Sequence, residues 1–266
     1  MAITTVDDIA TALAVAQRAN ILKNITALKG AGAFQSGWLA TGIPGAGSAP
    51  PVYTAGSGYT CDRTKAGAIN YANAAVLNYL AKMFAVANVV GTLILADRLW
   101  SCSGMGYAAG TYAVTTPGNL PARITDGGVG CELWVEQFVV AGAASGTLTA
   151  NYLNTLGQAK SGIIAAVVSA PVVGQMQPVP LQVGDTGISQ LTNIVTSATW
   201  TSGSFGITIL KRIAELEIYG ANIGRNLDWA TLGLPSIPND ACLWVYFLGN
   251  ATTAPVVLGR LNIIDK

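Results

Sequence analysis

Gly91-Thr-Leu-Ile-Leu-Ala-Asp-Arg-Leu-Trp100 (GTLILADRLW) is an apolar run of strand length with one acid and one base set into it, and a Ser/Gly loop, SCSGMG, follows. Successive side chains of a strand point to opposite faces. Asp97 therefore falls with Leu93, Leu95 and Leu99, and Arg98 with Ile94, Ala96 and Trp100. The two cannot pair with each other. Each needs a counter-charge from elsewhere in the chain or from another chain, which makes both candidate structural ion-pair or interface residues.

Outward from this run the pattern repeats. CELWVEQFVV (131–140), GTLTANYLNT (146–155), KSGIIAAVVSA (160–170), PVPLQVG (178–184) and ISQLTNIVTSATW (188–200) read as strands between Gly, Pro, Asn and Asp punctuation. ITILKRIAELEIY (207–219), CLWVYFL (242–248) and VVLGRLNII (256–264) continue the series. Short strands at this spacing, without alternating helices, predict a mainly β chain built as a β-sandwich or jelly roll. Two helices are also expected. Thr5-Val-Asp-Asp8 has the form of a capping box and opens a short N-terminal helix over Val6–Arg18, and NYANAAVLNYLAKMF (70–84) has the composition of a second. Residues 30–60, including TGIPGAGSAPPVYTAGSGYT, are dominated by Gly, Ala, Ser, Pro and Thr and predict an extended arm. The expected division is a helix and arm over 1–60 and a jelly-roll-like body over 61–266.

Only 10% of the 266 residues are charged and 51% are hydrophobic, against about 25% charged in a typical soluble domain. A membrane would explain this, but the longest candidate span, IIAAVVSAPVVG from Ile163, is broken by Ser169 and Pro171. MAITTVDDIATALAVAQR carries two Asp where a secretion signal is basic, so synthesis in a cytoplasm is expected. A net charge of +1 with no basic stripe argues against nucleic acid and anionic membranes as partners. A charge-poor chain can cover itself with neutral polar residues or with other subunits, and obligate interfaces are themselves apolar and poor in charge.

The chain has no histidine, which removes Ser-His-Asp and Cys-His catalysis and any histidine-bearing zinc site. Cys61, Cys102, Cys131 and Cys242 lie far apart with no CxxC pair, a poor pattern for a four-thiolate zinc site. GIPGAGSAP lacks the Lys-Ser/Thr of a phosphate loop and GMGYAAG has the wrong spacing for a dinucleotide turn. No catalytic residue, cofactor or metal is expected. Glu132, Trp134 and Glu136 share one strand face, as a glycosidase cleft would ask, and so do Glu215 and Glu217. The simpler use of Lys211, Glu215 and Glu217 is a cross-strand charge cluster. Trp100, Trp134, Trp200 and Trp244 read first as core, with a sugar platform or interface as the alternative. The four cysteines are candidate disulfide or redox-sensitive residues, reduced during synthesis and exposed to oxidant after release of the protein from the cell.

GTLILADRLWSCSGM, VPLQVGDTGISQLTNIVTSATWTSGSFGITILKRIAELE and NDACLWVYFLGNATTAPVVLGRLNIIDK, with the N-terminal TTVDDIATALAVAQR, resemble virion structural proteins of tailed bacteriophages, of the head decoration (cement) or minor capsid type. The resemblance implies a non-enzymatic protein on the capsid surface that decorates and stabilises it. Its implied partners are further copies of itself, as a trimer on three-fold lattice sites, and the major capsid protein or other virion proteins. The alternatives are a tail or baseplate component binding cell-surface glycan and, behind that, a glycan depolymerase.

Overall fold

The computed structural model describes residues 5–26, 28–54, 59–106, 108–143, 146–197 and 202–265. Helix α1 (Val6–Ala14) leads into β1 (Gln17–Asn24), β2 (Ala33–Ser36), β3 (Thr41–Ile43) and β4 (Tyr59–Thr60). Then come β5 (Asn78–Ala87), β6 (Gly91–Gly106), β7 (Gly110–Asn119), β8 (Cys131–Val139), β9 (Leu148–Asn154) and β10 (Ala159–Ile164). The remainder is β11 (Gln175–Pro178), β12 (Ile188–Thr196), β13 (Ser204–Ile218), β14 (Arg225–Leu227), the single-turn α2 (Trp229–Leu232), β15 (Ser236–Ile237), β16 (Leu243–Gly249) and β17 (Val256–Asp265).

The chain is mainly β, as expected, and its sandwich-like layers are arranged around a barrel. Strands β6, β13, β8, β11, β2 and β16 pair in that order, and β16 pairs back to β6, so the ring closes; β4 adds to the far half of β6. One outer wall of the ring packs on a six-stranded sheet of β14, β5, β17, β1 and β3 with β15 beside β5. Leu93, Leu95, Leu216, Val245 and Phe247 from the wall meet Ile21, Met83, Leu261 and Ile263 from that sheet in one core. The opposite wall packs on the four-stranded sheet β10-β9-β12-β7, where Leu133, Val135, Ile207 and Ile209 meet Leu148, Tyr152, Leu191 and Ile194. Long strands with both faces covered read as continuous apolar runs, which is why GTLILADRLW and CLWVYFL show little alternation.

Helix α1 is capped as its sequence predicts. Thr5 Oγ1 accepts from Asp8 N at 3.2 Å and Asp8 Oδ2 accepts from Thr5 N at 2.9 Å. It stops at Ala14 rather than Arg18, because residues 17–24 pair over eight positions with β17. The helix expected over 70–84 does not form. Residues 78–87 are β5, with Met83, Ala85 and Ala87 buried and a β17 partner along their length, so tertiary pairing overrides local propensity. PVPLQVG contributes only Pro178, the last residue of β11, and SCSGMG is no loop but the continuation of β6 to Gly106. Gly206 allows that continuation, since a Cβ there would stand 2.0 Å from the Cys102 carbonyl oxygen.

The Gly/Pro-rich stretch is extended, but it lies against its own body. β2 is a barrel stave between β11 and β16, and Trp38 enters the barrel core with 1% of its surface exposed. Trp38 Nε1 donates to Ser48 O at 2.9 Å, and the Tyr53 and Ser103 backbones bond at 2.9 Å. Gly47 is required here, because a Cβ would come within 2.4 Å of the Trp38 ring. Lys23 holds the following turn by donating from Nζ to the Ala40, Pro44 and Gly45 carbonyls at 3.2, 2.8 and 3.3 Å. Among the described residues no helix is long and apolar enough to cross a membrane.

Burial lowers the Lys23 ammonium from 10.5 to about 8. Between those values the unfolded chain binds more protons at this position than the folded one, so the contribution of Lys23 to stability rises as pH climbs from 8 toward 10.5. Urea denaturation at pH 7 and pH 10 is expected to show the wild type gaining on Lys23→Met over that interval. Parallel pH profiles for the two would contradict it.

Candidate functional site

Asp97 and Arg98 do find separate partners, one on each side of the barrel wall. Ile94, Ala96 and Arg98 point into the barrel, while Leu93 and Leu95 point out. Trp100 departs from the expected alternation. The pairing of β6 with β13 skips Leu99, with Ile209 opposite Trp100 and Leu210 opposite Arg98, and beyond this bulge both Leu99 and Trp100 lie in the outer core.

Inside, Arg98 Nη2 lies 2.7 Å from Glu136 Oε2, and neither side chain is exposed. Glu136 also accepts from Ser36 Oγ at 2.7 Å and Thr208 Oγ1 at 2.5 Å. The guanidinium carbon lies 4.7 Å from the Trp38 ring centre and 5.0 Å from that of Trp244. Nε and Nη1 have no hydrogen-bond partner among the described residues, so the charge is held by the carboxylate and the indole faces. Burial works against the Arg98 charge, and the Glu136 carboxylate more than offsets it, holding the guanidinium above its ordinary value. Trp134, Trp244, Tyr246 and Phe34 fill the space around this pair, with Phe34 and Trp134 edge to face at 4.8 Å. Each of these rings contributes roughly 1.5–3 kcal/mol by burial alone.

Outside, Arg123 grips Asp97 with two hydrogen bonds, Nε to Oδ2 at 2.7 Å and Nη2 to Oδ1 at 2.8 Å. Cys242 N also donates to Oδ1 at 2.8 Å. Burial pushes the Asp97 carboxyl up, and these donors pull against it. The pair forms the floor of a cleft of about 420 Å3 whose rim includes Asp126, Lys211, Arg212 and Pro238. Every cation there is already neutralised. Lys211 pairs with Asp126 at 2.7 Å, Arg212 with Glu132 at 2.8 Å and Glu215 at 2.5 Å, and Arg123 also reaches Asp240 at 3.4 Å.

The expected cluster of Lys211 with Glu215 and Glu217 is therefore replaced. A bulge at Ile213, where the β13–β6 register skips a residue, shifts the parity of the strand. Arg212 takes the place of Lys211 beside Glu215, and Glu217 accepts instead from the Tyr219 hydroxyl. Glu132, Trp134 and Glu136 share a face as read from sequence, but Glu136 is sealed in the barrel and Glu132 is tied to Arg212 and to Trp134 Nε1. Trp100, Trp134 and Trp244 are buried, so they offer no sugar platform; Trp200 lies outside the described residues. Cys61 and Cys242 share the barrel core, whereas Cys102 and Cys131 lie in the outer core next to the four-stranded sheet, and none of the four is in a disulfide. Among the described residues no group of three His, Cys, Asp or Glu side chains is placed to hold a metal ion.

Sequence reading missed Arg123, Ser36, Thr208 and Trp38. The only signal for Arg123 was that a charge in so charge-poor a chain needs a reason.

A second feature is a surface. On the outer face of the six-stranded sheet, Ile43, Leu22, Leu258 and Val86 stand side by side across β3, β1, β17 and β5. Ile43 is 54% and Leu258 51% exposed. Beside this row run Asn20, Arg260 and Phe84, then Arg18, Asn262 and Lys82.

No family model matches the chain, and no curated protein does. Among solved structures it is similar to that of infectious bursal disease virus Gx strain, at 14% identity and a TM-score of 0.20 over 68% of this chain and 40% of the other. The chain thus spans less than half the length of that relative. It is also similar to the Gt strain structure, at 10% identity and a TM-score of 0.21 over 93% of this chain and 80% of the other. A third is the structure of T=1 particles derived from the same virus, at 9% identity and a TM-score of 0.22 over 93% and 77%. At TM-scores this low neither fold nor function is argued from the likeness.

Proposed function

We propose that this chain is a non-enzymatic structural protein of a bacteriophage virion, decorating and stabilising the capsid surface through contacts between copies of itself and with the capsid protein. The observation that carries the reading is the apolar row Ile43–Leu22–Leu258–Val86 on the outer sheet face, in a chain with only 10% charged residues. Self-association removes such a face from water. A second copy is the occupant that the low charge content favours, and the phage resemblance sets the expected oligomer as a trimer. The ion pairs of the cleft and barrel support the same reading. There each charge is matched within the chain, an arrangement suited to fixing strand register.

The test is location. Gold-labelled antibody against the protein is expected to decorate the heads of the phage that encodes it. Label confined to tail tips would move the assignment to the glycan-binding alternative, and unlabelled virions would overturn it.

A further inference from the structure

Two of the four cysteines meet in the barrel core. Cys61 N donates to Leu99 O at 3.0 Å, and Cys242 O accepts from Arg98 N at 2.9 Å, so the two residues lie against consecutive positions on one edge of β6. They approach from different strands. β16 covers that edge up to Asp97 and β4 takes over at Trp100, and the cysteines stand at the junction, Cys61 just after β4 and Cys242 just before β16. Both are fully buried in the same core, and Cys61 Sγ is 3.7 Å from Ser101 Oγ. We propose that Cys61 and Cys242 are a built disulfide site that closes when the protein meets an oxidising medium, stapling the Gly/Pro-rich segment to the barrel.

The surroundings give the two sulfurs different tasks. Burial alone raises the Cys61 thiol, but the neighbouring Cys242 thiol, the Arg98 guanidinium and Ser101 together hold it below its ordinary value. Cys242 is raised, first by the neighbouring Cys61 and then by burial. With the Ser101 hydroxyl 3.7 Å from its sulfur to support a thiolate, Cys61 is assigned as the attacker. With a small-molecule disulfide as oxidant, Cys61 sulfur attacks one sulfur of it, the S–S bond of the oxidant breaks, and one small thiolate leaves. Cys242 then loses its proton and attacks Cys61 sulfur in the mixed disulfide, expelling the second small thiol. The protein gives up two electrons and two protons, and the oxidant takes both. Opening of the two-residue strand β4 is the local motion that admits the oxidant.

Cys102 and Cys131 serve as internal controls. They flank β13 opposite Ile207 and Lys211, four positions apart, which is roughly 13 Å along the strand and too far to bridge. Burial pushes each of these thiols up to about 12, so neither competes as a nucleophile.

The experiment oxidises the full chain with oxidised glutathione, in buffer and at a urea concentration below the unfolding transition. Alkylation, digestion without reduction and mass spectrometry follow. The expected result is loss of two of the four alkylatable thiols and recovery of a Cys61–Cys242 cross-linked peptide. In Cys242→Ser, Cys61 is expected to accumulate as the glutathione mixed disulfide, while in Cys61→Ser the Cys242 thiol stays alkylatable. Four free thiols under both conditions, or a cross-link involving Cys102 or Cys131, would overturn the proposal. The outcome is independent of where the protein resides in a virion.

Discussion

Glu136→Gln is expected to destabilise the protein by about 3–5 kcal/mol, the cost of leaving a buried cation without its counter-charge. Arg98 and Glu136 have no exposed surface, and the guanidinium otherwise faces the Trp38 and Trp244 rings. Glutamine keeps the shape and one acceptor for Ser36 or Thr208, so the loss isolates charge from volume. Exchanging both members, Arg98→Met with Glu136→Leu, is expected to recover most of the stability, because a buried ion pair contributes little more than a well-packed apolar pair. Recovery should fall short by roughly 1 kcal/mol for each hydroxyl, Ser36 and Thr208, left without its acceptor. Urea denaturation at pH 7 reads all three proteins. A single variant within about 1 kcal/mol of wild type would mean that the pair is not what holds the barrel interior.

The second large effect is on assembly. Leu258→Asp puts a carboxylate in the middle of the apolar row, where Leu22 and Val86 are its cross-strand neighbours. In the isolated chain this position is 51% exposed, so the fold itself should lose little. In an oligomer the charge is desolvated without a partner, at a cost of roughly 2 kcal/mol or more per copy, which weakens association more than tenfold. Light scattering is expected to show the variant as a folded monomer at concentrations where wild type is associated. Unchanged association would place the interface elsewhere.

Much of this could be read in the chain before any coordinates. The alternation rule separated Asp97 from Arg98 and required two partners, and the structure supplies two. The β-rich architecture followed from strand-length apolar runs, and the N-terminal helix from Thr5 and Asp8. Part of what stayed hidden comes from bulges. A bulge adds one residue to a strand without a sequence mark, and each one flips the parity that the reading depends on. At Leu99 it sent Trp100 to the outer core, and at Ile213 it put Arg212 where Lys211 was expected. Arg123 and Glu136 reach Asp97 and Arg98 across long stretches of chain, and nothing local selects them. The stretch 70–84 misled because Leu80 and Phe84 suit a helix as well as a strand, and only the β17 partner decides. Residues 30–60 looked too small to pack, and yet a single Trp38 lodged beside Arg98 is enough to bind the segment to the barrel.

The central claim is that the protein is built to assemble, and sedimentation velocity of the unmodified chain across a wide concentration range tests it most directly. The account predicts one discrete closed oligomer, a trimer, that persists on dilution and is lost in Leu258→Asp. A monodisperse monomer at every concentration would contradict it.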